Sequence, residues 1–136
     1  MFREVGDEAY LALAENIARM LLDKLPEDGI PYWDFDSPDI PDAQRDASAG
    51  AIMASSFIEL AGYTQDKALS KELMEMAETQ IRTLASPEYL AEKGRNGFFL
   101  LKHSVGSYPS DTEVNVPLTY ADYYFLEALL RYNGML

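Results

Sequence analysis

The residues best suited to chemistry lie in one proline-rich stretch, where the single tryptophan of the chain stands beside several carboxylates. An aromatic ring covers the apolar face of a sugar, and carboxylates accept hydrogen bonds from sugar hydroxyls. The stretch therefore predicts a sugar contact at Trp33. An equally good interpretation is structural, with the Trp33 ring plugging the loop onto the neighbouring helices. The carboxylates that follow it are Asp34, Asp36, Asp39 and Asp42.

These four aspartates also invite a calcium interpretation, but they lack the regular alternation of a calcium loop, which needs six or more oxygen ligands. Turn formation and solvent exposure explain most of them better. His103 is the only histidine, and without a second imidazole or a cysteine it does not predict a transition-metal site. It is expected either to bond a substrate at a cleft mouth or to be a partly buried loop residue. We predict no metal and no cofactor.

Arg45 and Asp46 directly follow this loop, at the start of a segment rich in small residues. We predict that they form a structural helix cap or ion pair, with a substrate contact as the alternative. No Gly-x-Ser-x-Gly elbow and no phosphate-cradling glycine loop is present. Nucleophilic serine catalysis and nucleotide chemistry are therefore not indicated.

The charge balance excludes several classes of partner. The chain has 136 residues, with 11 basic and 23 acidic side chains, which gives a net charge of −12. Such a charge repels phosphate, so we predict no nucleic-acid and no membrane partner. The chain has no cysteine, and its N-terminus lacks the apolar core of a secretory signal. We therefore expect a soluble, cytoplasmic protein.

Helical periodicity dominates the chain and predicts four main helices. Each is bounded by caps, prolines or glycines, and the second is made almost entirely of Ala, Ser and Gly, which predicts an interior position. Gly62 is expected to close that helix, and a short helical turn is expected to begin at Ser86-Pro87-Glu88 and end at Gly94. The expected ranges are 7–25, 45–61, 66–85 and 117–132.

One segment, residues 97–116, has a different, β-like composition. Two strand-like runs, 97–101 and 113–116, flank a polar turn region at 104–112. The remaining pattern is that of helical hairpins in which small-residue helices alternate with amphipathic ones. The predicted fold is all-α, with residues 1–136 forming part of a double-layered helical toroid whose inner helices line a centre and whose outer helices face water.

Two longer motifs carry a family resemblance. The run PYWDFDSPDIPDAQRDASAGAI and the final PLTYADYYFLEALLRY resemble the C-terminal part of unsaturated glucuronyl hydrolases, glycoside hydrolase family 88. The resemblance covers essentially the whole chain, which corresponds to roughly the last third of such an enzyme. It implies an (α/α)6 barrel that acts on oligosaccharides left by polysaccharide lyases.

The resemblance also implies a reaction. Enzymes of that family release a 4,5-unsaturated uronic acid by hydrating its vinyl ether: an Asp protonates C4, water adds at C5, and the resulting hemiketal opens. The family's catalytic Asp pair lies in the N-terminal and middle parts, which have no counterpart in this sequence. No catalytic residue is therefore assigned, and we expect a truncated chain that is inactive alone.

Substrate contacts implied by the resemblance lie near the end of the chain. Family members that prefer sulfated disaccharides have a Ser-x-x-Ser-x-Lys pattern, which is matched here by Ser104 and Ser107, while Pro109 replaces the lysine. Without that cation an unsulfated substrate is as good an expectation. Tyr120 is the further predicted contact, although Tyr120, Tyr123 and Tyr124 are more typical of core aromatics than of ligand contacts.

A second hypothesis comes from a different class of protein. Part of a toroid leaves apolar helix faces exposed, and such faces drive association. The chain would then be a non-catalytic helical interaction module that forms a homo-oligomer.

Overall fold

The computed structural model describes all 136 residues and confirms a mostly helical fold with one small hairpin. Its four long helices match the predicted ranges closely, and a one-turn helix, α1, precedes them. The helices are α1 (Phe2–Val5), α2 (Glu8–Lys24), α3 (Ala47–Tyr63), α4 (Lys67–Leu84) and α5 (Thr119–Tyr132), and the antiparallel strands are β1 (Ser104–Ser107) and β2 (Thr112–Val116).

Three of the long helices begin in the same way, at an aspartate with extended backbone. The side chains of Asp7, Asp46 and Asp66 accept hydrogen bonds from backbone N–H groups in the first turns of α2, α3 and α4. Each bond satisfies a donor that has no partner within the helix, and each carboxylate interacts favourably with the positive end of the helix dipole. Local sequence therefore fixes where these helices start.

Helix α3 is the central element and packs between α4 and α5. Its small side chains allow this close approach, because Ala47, Ala51 and Ala54 are fully buried and leave room for neighbouring backbones. Ala51 lies in a cluster with Ile30, Leu84 and Phe125, which joins the proline-rich loop to both flanking helices. The predicted interior position of this helix is confirmed.

The proline-rich loop is also tied to α4 through a buried amide. Gln80 is fully buried, and its Nε2 donates to the carbonyl oxygen of Gly29 at 2.9 Å. Gly29 has a φ of +76°, and a Cβ at this position would lie 2.6 Å from Cγ of Gln80. The contact requires glycine here, so the loop can fold down onto the helix.

Some local predictions were wrong. The run 97–101 forms no strand: it contains a 3₁₀ turn at Asn96–Phe98, and Asn96 and Phe98 have positive φ angles. A single turn does begin at Ser86, where the N–H of Leu90 donates to the carbonyl oxygen of Ser86 at 2.8 Å, but it does not continue to Gly94. Gly62 lies inside α3 rather than closing it. The strand that pairs with β2 is instead β1, within the stretch predicted as a polar turn. Hydrogen bonding to a distant partner outweighed composition at these positions.

Two helices, α2 near the start of the chain and α5 at its end, each expose an apolar face to solvent. On α2 the exposed residues are Tyr10, Leu13, Ile17 and Met20, and on α5 they are Tyr120, Tyr123, Leu126 and Leu130. An apolar groove of about 360 Å³ also opens between α2 and α3. Tyr120 and Tyr123 are exposed, so the prediction that the tyrosines of this helix are core aromatics is wrong for these two, whereas Tyr124 packs against the core.

None of the helices combines the length and the apolar character needed to cross a membrane.

Candidate functional site

The loop that carries Trp33 is closed on itself at its base. The N–H of Trp33 donates to Gln44 at 2.9 Å, and the N–H of Asp46 donates to Pro31 at 2.9 Å, while Tyr32 and Arg45 form an isolated antiparallel bridge. These bonds pin the first and last residues of the loop together next to the start of α3. The loop is thereby presented beside the β1–β2 hairpin.

Trp33 lies against the tip of that hairpin. Its ring stacks on the ring of Tyr108 with centroids 4.1 Å apart and planes inclined by only 15°. Tyr108 begins a 3₁₀ turn, Tyr108–Ser110, that closes the hairpin. One face of the indole is therefore covered by another aromatic ring, and no sequence pattern predicts this contact.

Arg45 occupies the inner side of the loop. Its guanidinium pairs with Asp28, donates from Nε to the carbonyl oxygen of Ile30 at 2.9 Å, and lies 4.7 Å from the ring centre of Tyr32. All of these partners belong to the loop itself. The geometry is that of an ion pair that holds the loop together.

Asp46 joins the loop, α3 and the hairpin. Its Oδ1 accepts hydrogen bonds from the N–H of Ser48 at 2.9 Å, the hydroxyl of Ser48 at 2.6 Å and the N–H of Val105 at 3.2 Å. A further bond runs from the N–H of Ala47 to the carbonyl oxygen of His103 at 3.1 Å. A helix cap thus also positions the strand that carries the two predicted serines.

The two serines of β1 differ in accessibility. Ser104 is fully buried and its hydroxyl has no hydrogen-bond partner, whereas Ser107 is half-buried at the other end of the strand. Between them, the carboxylate of Glu113 lies against Gly106, and a Cβ at that glycine would overlap it. The nearest charge to this strand is therefore negative, and Pro109 supplies no cation to balance it.

Tyr120 lies apart from Trp33 and the two serines. The residue is exposed on the first turn of α5, and neither a ring contact nor a side-chain hydrogen bond joins it to Trp33, Ser104 or Ser107. The loop aspartates do not converge either: Asp36 pairs with Lys24, and Asp34 accepts a bond from the N–H of Asp36.

A polar pocket of about 250 Å³ lies between the loop and the base of the hairpin, and sequence reasoning did not identify it. His103, at a φ of +62°, has its Nδ1 2.6 Å from Oδ1 of Asn115, and the Tyr89 ring packs edge-on to it. Burial raises the pKa of Tyr89 to about 12. The sequence marks Asp42, Arg45 and His103 individually, but no sequence signal brings the pocket residues together, because they come from four separate segments. The pocket is lined by Asp42, Ala43, Gln44, Arg45, Glu88, Tyr89, His103 and Asn115.

Taken together, these residues offer aromatic surface, hydroxyl groups and carboxylates, but no pair of acidic groups arranged as acid and base. The pKa values that depart from their ordinary range belong to surface ion pairs such as Glu78 with Arg82, and to Tyr89 and Tyr132. The arrangement is suited to binding a sugar.

No family model matches the chain. It is 42% identical to an unsaturated glucuronyl hydrolase of Formosa agariphila, in an alignment that covers 99% of this chain and 33% of the relative. It is 33% identical to an unsaturated glucuronyl hydrolase of Bacillus sp. strain GL1, over 95% of this chain and 34% of that protein.

The fold is shared as well. The crystal structure of an unsaturated glucuronyl hydrolase specific for heparin matches 98% of this chain and 36% of its own length, with a TM-score of 0.93 and 41% identity. The chain thus spans about a third of the length of the relatives that it matches. Its helices form a partial segment of their α/α toroid, and the resemblance to unsaturated glucuronyl hydrolases is confirmed over that third.

Proposed function

We propose that residues 1–136 form one segment of an (α/α)6 glycoside hydrolase that releases 4,5-unsaturated uronic acid from oligosaccharides made by polysaccharide lyases. The observation that carries this proposal is the 42% identity to an unsaturated glucuronyl hydrolase over 99% of the chain. The TM-score of 0.93 against an enzyme of the same description supports it. The substrate is an unsaturated uronic-acid oligosaccharide.

The segment supplies one wall of the sugar cleft, and the acid that protonates the vinyl ether lies in the two-thirds of the toroid that this chain does not match. The wall consists of the Trp33 loop and the β1 strand, in which the hydroxyl of Ser107 is accessible to a sugar and that of the fully buried Ser104 is not. Tyr120 contacts the sugar from α5. The aromatic and hydroxyl groups of these residues suit sugar binding. The segment requires neither metal nor cofactor, and by itself it does not hydrolyse the substrate.

The preferred sugar is unsulfated. A sulfate bound at the two serines would need a cation to strengthen its hydrogen bonds, but Pro109 stands in the place of the lysine. The Glu113 carboxylate beside Gly106 adds a repulsive charge at the same strand. The net charge of −12 further disfavours highly sulfated sugars and other polyanions, including nucleic acid, relative to a uronate that carries only its carboxylate. The absence of cysteine supports a cytoplasmic location.

A chimera tests the proposal directly. The Formosa agariphila relative is prepared with its matching third replaced by this chain, and loss of the ultraviolet absorbance of the unsaturated uronate is followed. We expect activity from the chimera and none from this chain alone. The two parts mixed as separate polypeptides measure whether the wall also assembles without a covalent link. A folded but inactive chimera, beside an active parent enzyme, would contradict the proposal.

Within the active chimera, single substitutions test which residues of the wall contact the sugar. Trp33→Ala, Ser107→Ala and Tyr120→Ala are each expected to raise KM more than they lower kcat, because contacts away from the reacting bond contribute mainly uniform binding. Lys71→Ala, on the exposed face of α4, serves as a control that alters a surface residue outside the predicted wall. Equal kinetic constants for a variant and the parent chimera remove that residue from the site.

The second candidate function, a non-catalytic module that forms a homo-oligomer, is favoured by the exposed apolar faces of α2 and α5. Association through them would remove residues such as Leu13, Ile17 and Leu126 from water. Light scattering of the purified chain tests this candidate: a mass that rises with concentration supports it, and a stable single-chain mass contradicts it. Leu13→Asp combined with Ile17→Asp should then abolish the rise, since charge opposes burial of that face.

A further inference from the structure

The paired rings of Trp33 and Tyr108 differ in how much of each is free to meet a ligand. Because the rings stack nearly parallel at 4.1 Å, each covers one face of the other. Tyr108 is the more accessible partner, with 37% of its surface exposed, while Trp33 is half-buried. The ring with the freer outer surface is therefore the tyrosine at the hairpin tip, rather than the tryptophan that the sequence singles out.

Both rings stand on supports that hydrogen bonds hold in place. The backbone of Trp33 is bonded to Gln44, and the hairpin strand is bonded at its base to Asp46 through the N–H of Val105. The tip is closed by a bond from the N–H of Asp111 to the carbonyl oxygen of Tyr108 at 3.0 Å. A ligand that packs on this surface would immobilise little that is not already ordered, which lowers the entropic cost of binding.

We propose that Tyr108 is the sugar-stacking residue of this wall and that Trp33 is the positioning residue that backs its ring. This inference rests on the proposed function and names the residue that recognises the sugar. The C–H face of a neutral pyranose packs on the outer face of Tyr108, and its hydroxyls reach Ser107, the preceding residue. The contact is made by the ring, so the tyrosine hydroxyl is dispensable.

A purely structural stack would have the same geometry, with Tyr108 serving only to fasten the hairpin tip to the loop. The two roles differ in what removal of the ring changes. A fastening role predicts lost stability with sugar binding unaffected, whereas a stacking role predicts lost sugar binding even when the hairpin stays in place. Variants of Tyr108 that keep apolar cover over Trp33 separate these outcomes.

The test uses the whole chain and the unsaturated, unsulfated disaccharide of hyaluronan. Saturation-transfer NMR and the fluorescence of Trp33, the only tryptophan, report binding at millimolar sugar. We expect Tyr108→Phe to bind as the parent does, and Tyr108→Leu to bind about tenfold more weakly while unfolding at the same urea concentration. Tyr123→Leu, which removes a more exposed tyrosine from α5 (59%), is the matched control and should not change binding.

Trp33→Leu removes the backing and leaves the stacking ring. We expect it to weaken binding less than Tyr108→Leu does, with saturation transfer still centred on the sugar C–H protons. Affinity for Tyr108→Leu equal to that of the parent overturns the proposal, and so does equal loss with Tyr123→Leu. Absence of binding to the parent chain also overturns it, because both rings belong to this chain. Failure of the chimera assay would instead refute the proposed reaction and leave this binding measurement intact.

Discussion

Replacement of Asp46 by alanine tests the idea that one carboxylate both starts a helix and positions the hairpin. Its Oδ1 accepts the N–H and hydroxyl of Ser48 within α3 and, across the molecule, the N–H of Val105. Val105 is buried, so its N–H would have no water to replace the lost acceptor. We expect Asp46→Ala to destabilise the chain more than the loss of an ordinary cap.

The magnitude follows from the two roles. Loss of an aspartate cap costs about 1 kcal/mol of unfolding free energy. A buried N–H without an acceptor costs about 1–3 kcal/mol more. The sum for Asp46→Ala is about 2–4 kcal/mol. Asp7 is the matched control, since its carboxylate caps α2 through the N–H of Ala9 at 2.9 Å in an exposed setting. Asp7→Ala should therefore cost about 1 kcal/mol.

The assay is urea unfolding followed by circular dichroism at one fixed protein concentration. With a slope of about 2 kcal/mol per molar urea, the midpoint should fall by roughly 1–2 M for Asp46→Ala and by about 0.5 M for Asp7→Ala. Asp46→Asn keeps an oxygen acceptor and should recover much of the loss. Equal shifts for the two alanine variants, at equal slopes, would refute the claim that Asp46 also holds the hairpin.

Three further outcomes are expected. Gly29→Ala should lower stability by more than 1 kcal/mol beyond Gly6→Ala in urea unfolding, because both have positive φ but only the first meets a side chain, the buried Gln80; equal losses would contradict this. The pKa of Tyr89 is raised to about 12, so this residue should ionise late in an ultraviolet titration. Its contribution to stability should be retained below pH 10 and lost between pH 10 and 12, because the unfolded chain loses the tyrosine proton first. The Y89F variant should lack that loss. Replacement of Glu113 by Gln should bring sulfated disaccharide binding up by about fivefold at low salt, with the gain shrinking at high salt; a salt-independent gain would rule out charge as the cause.

The exposed apolar faces of α2 and α5 are expected to bind other helices under both hypotheses, the enzyme segment and the homo-oligomeric module. Exposed apolar side chains such as Leu13 and Leu126 favour contact with other helices, whether these belong to the remaining part of a toroid or to a second copy. A net charge of −12 on each copy opposes self-association and imposes no such penalty on a less acidic partner. The oligomer measurement should therefore be made at both low and high salt.

Sequence by itself determined the helices and the family resemblance. Caps such as Asp46 and Asp66 act on backbone groups two or three residues away, and the small residues of α3 predict close packing whatever lies beside them. Helical periodicity is likewise local, since neighbours on a helix face are three or four residues apart. These features are written in short stretches of chain and were predicted correctly.

Tertiary structure alone decided the details of the candidate site. The strand β1 forms in a stretch of polar, turn-like composition because β2 supplies its hydrogen-bond partners, and the run 97–101 has strand-like residues but no partner strand. The stack of Trp33 on Tyr108 joins residues far apart in sequence, and no local pattern encodes which ring meets which. The sequence selected the tryptophan by residue type, whereas the folded chain exposes the tyrosine, because accessibility depends on how the loop and the hairpin close against each other.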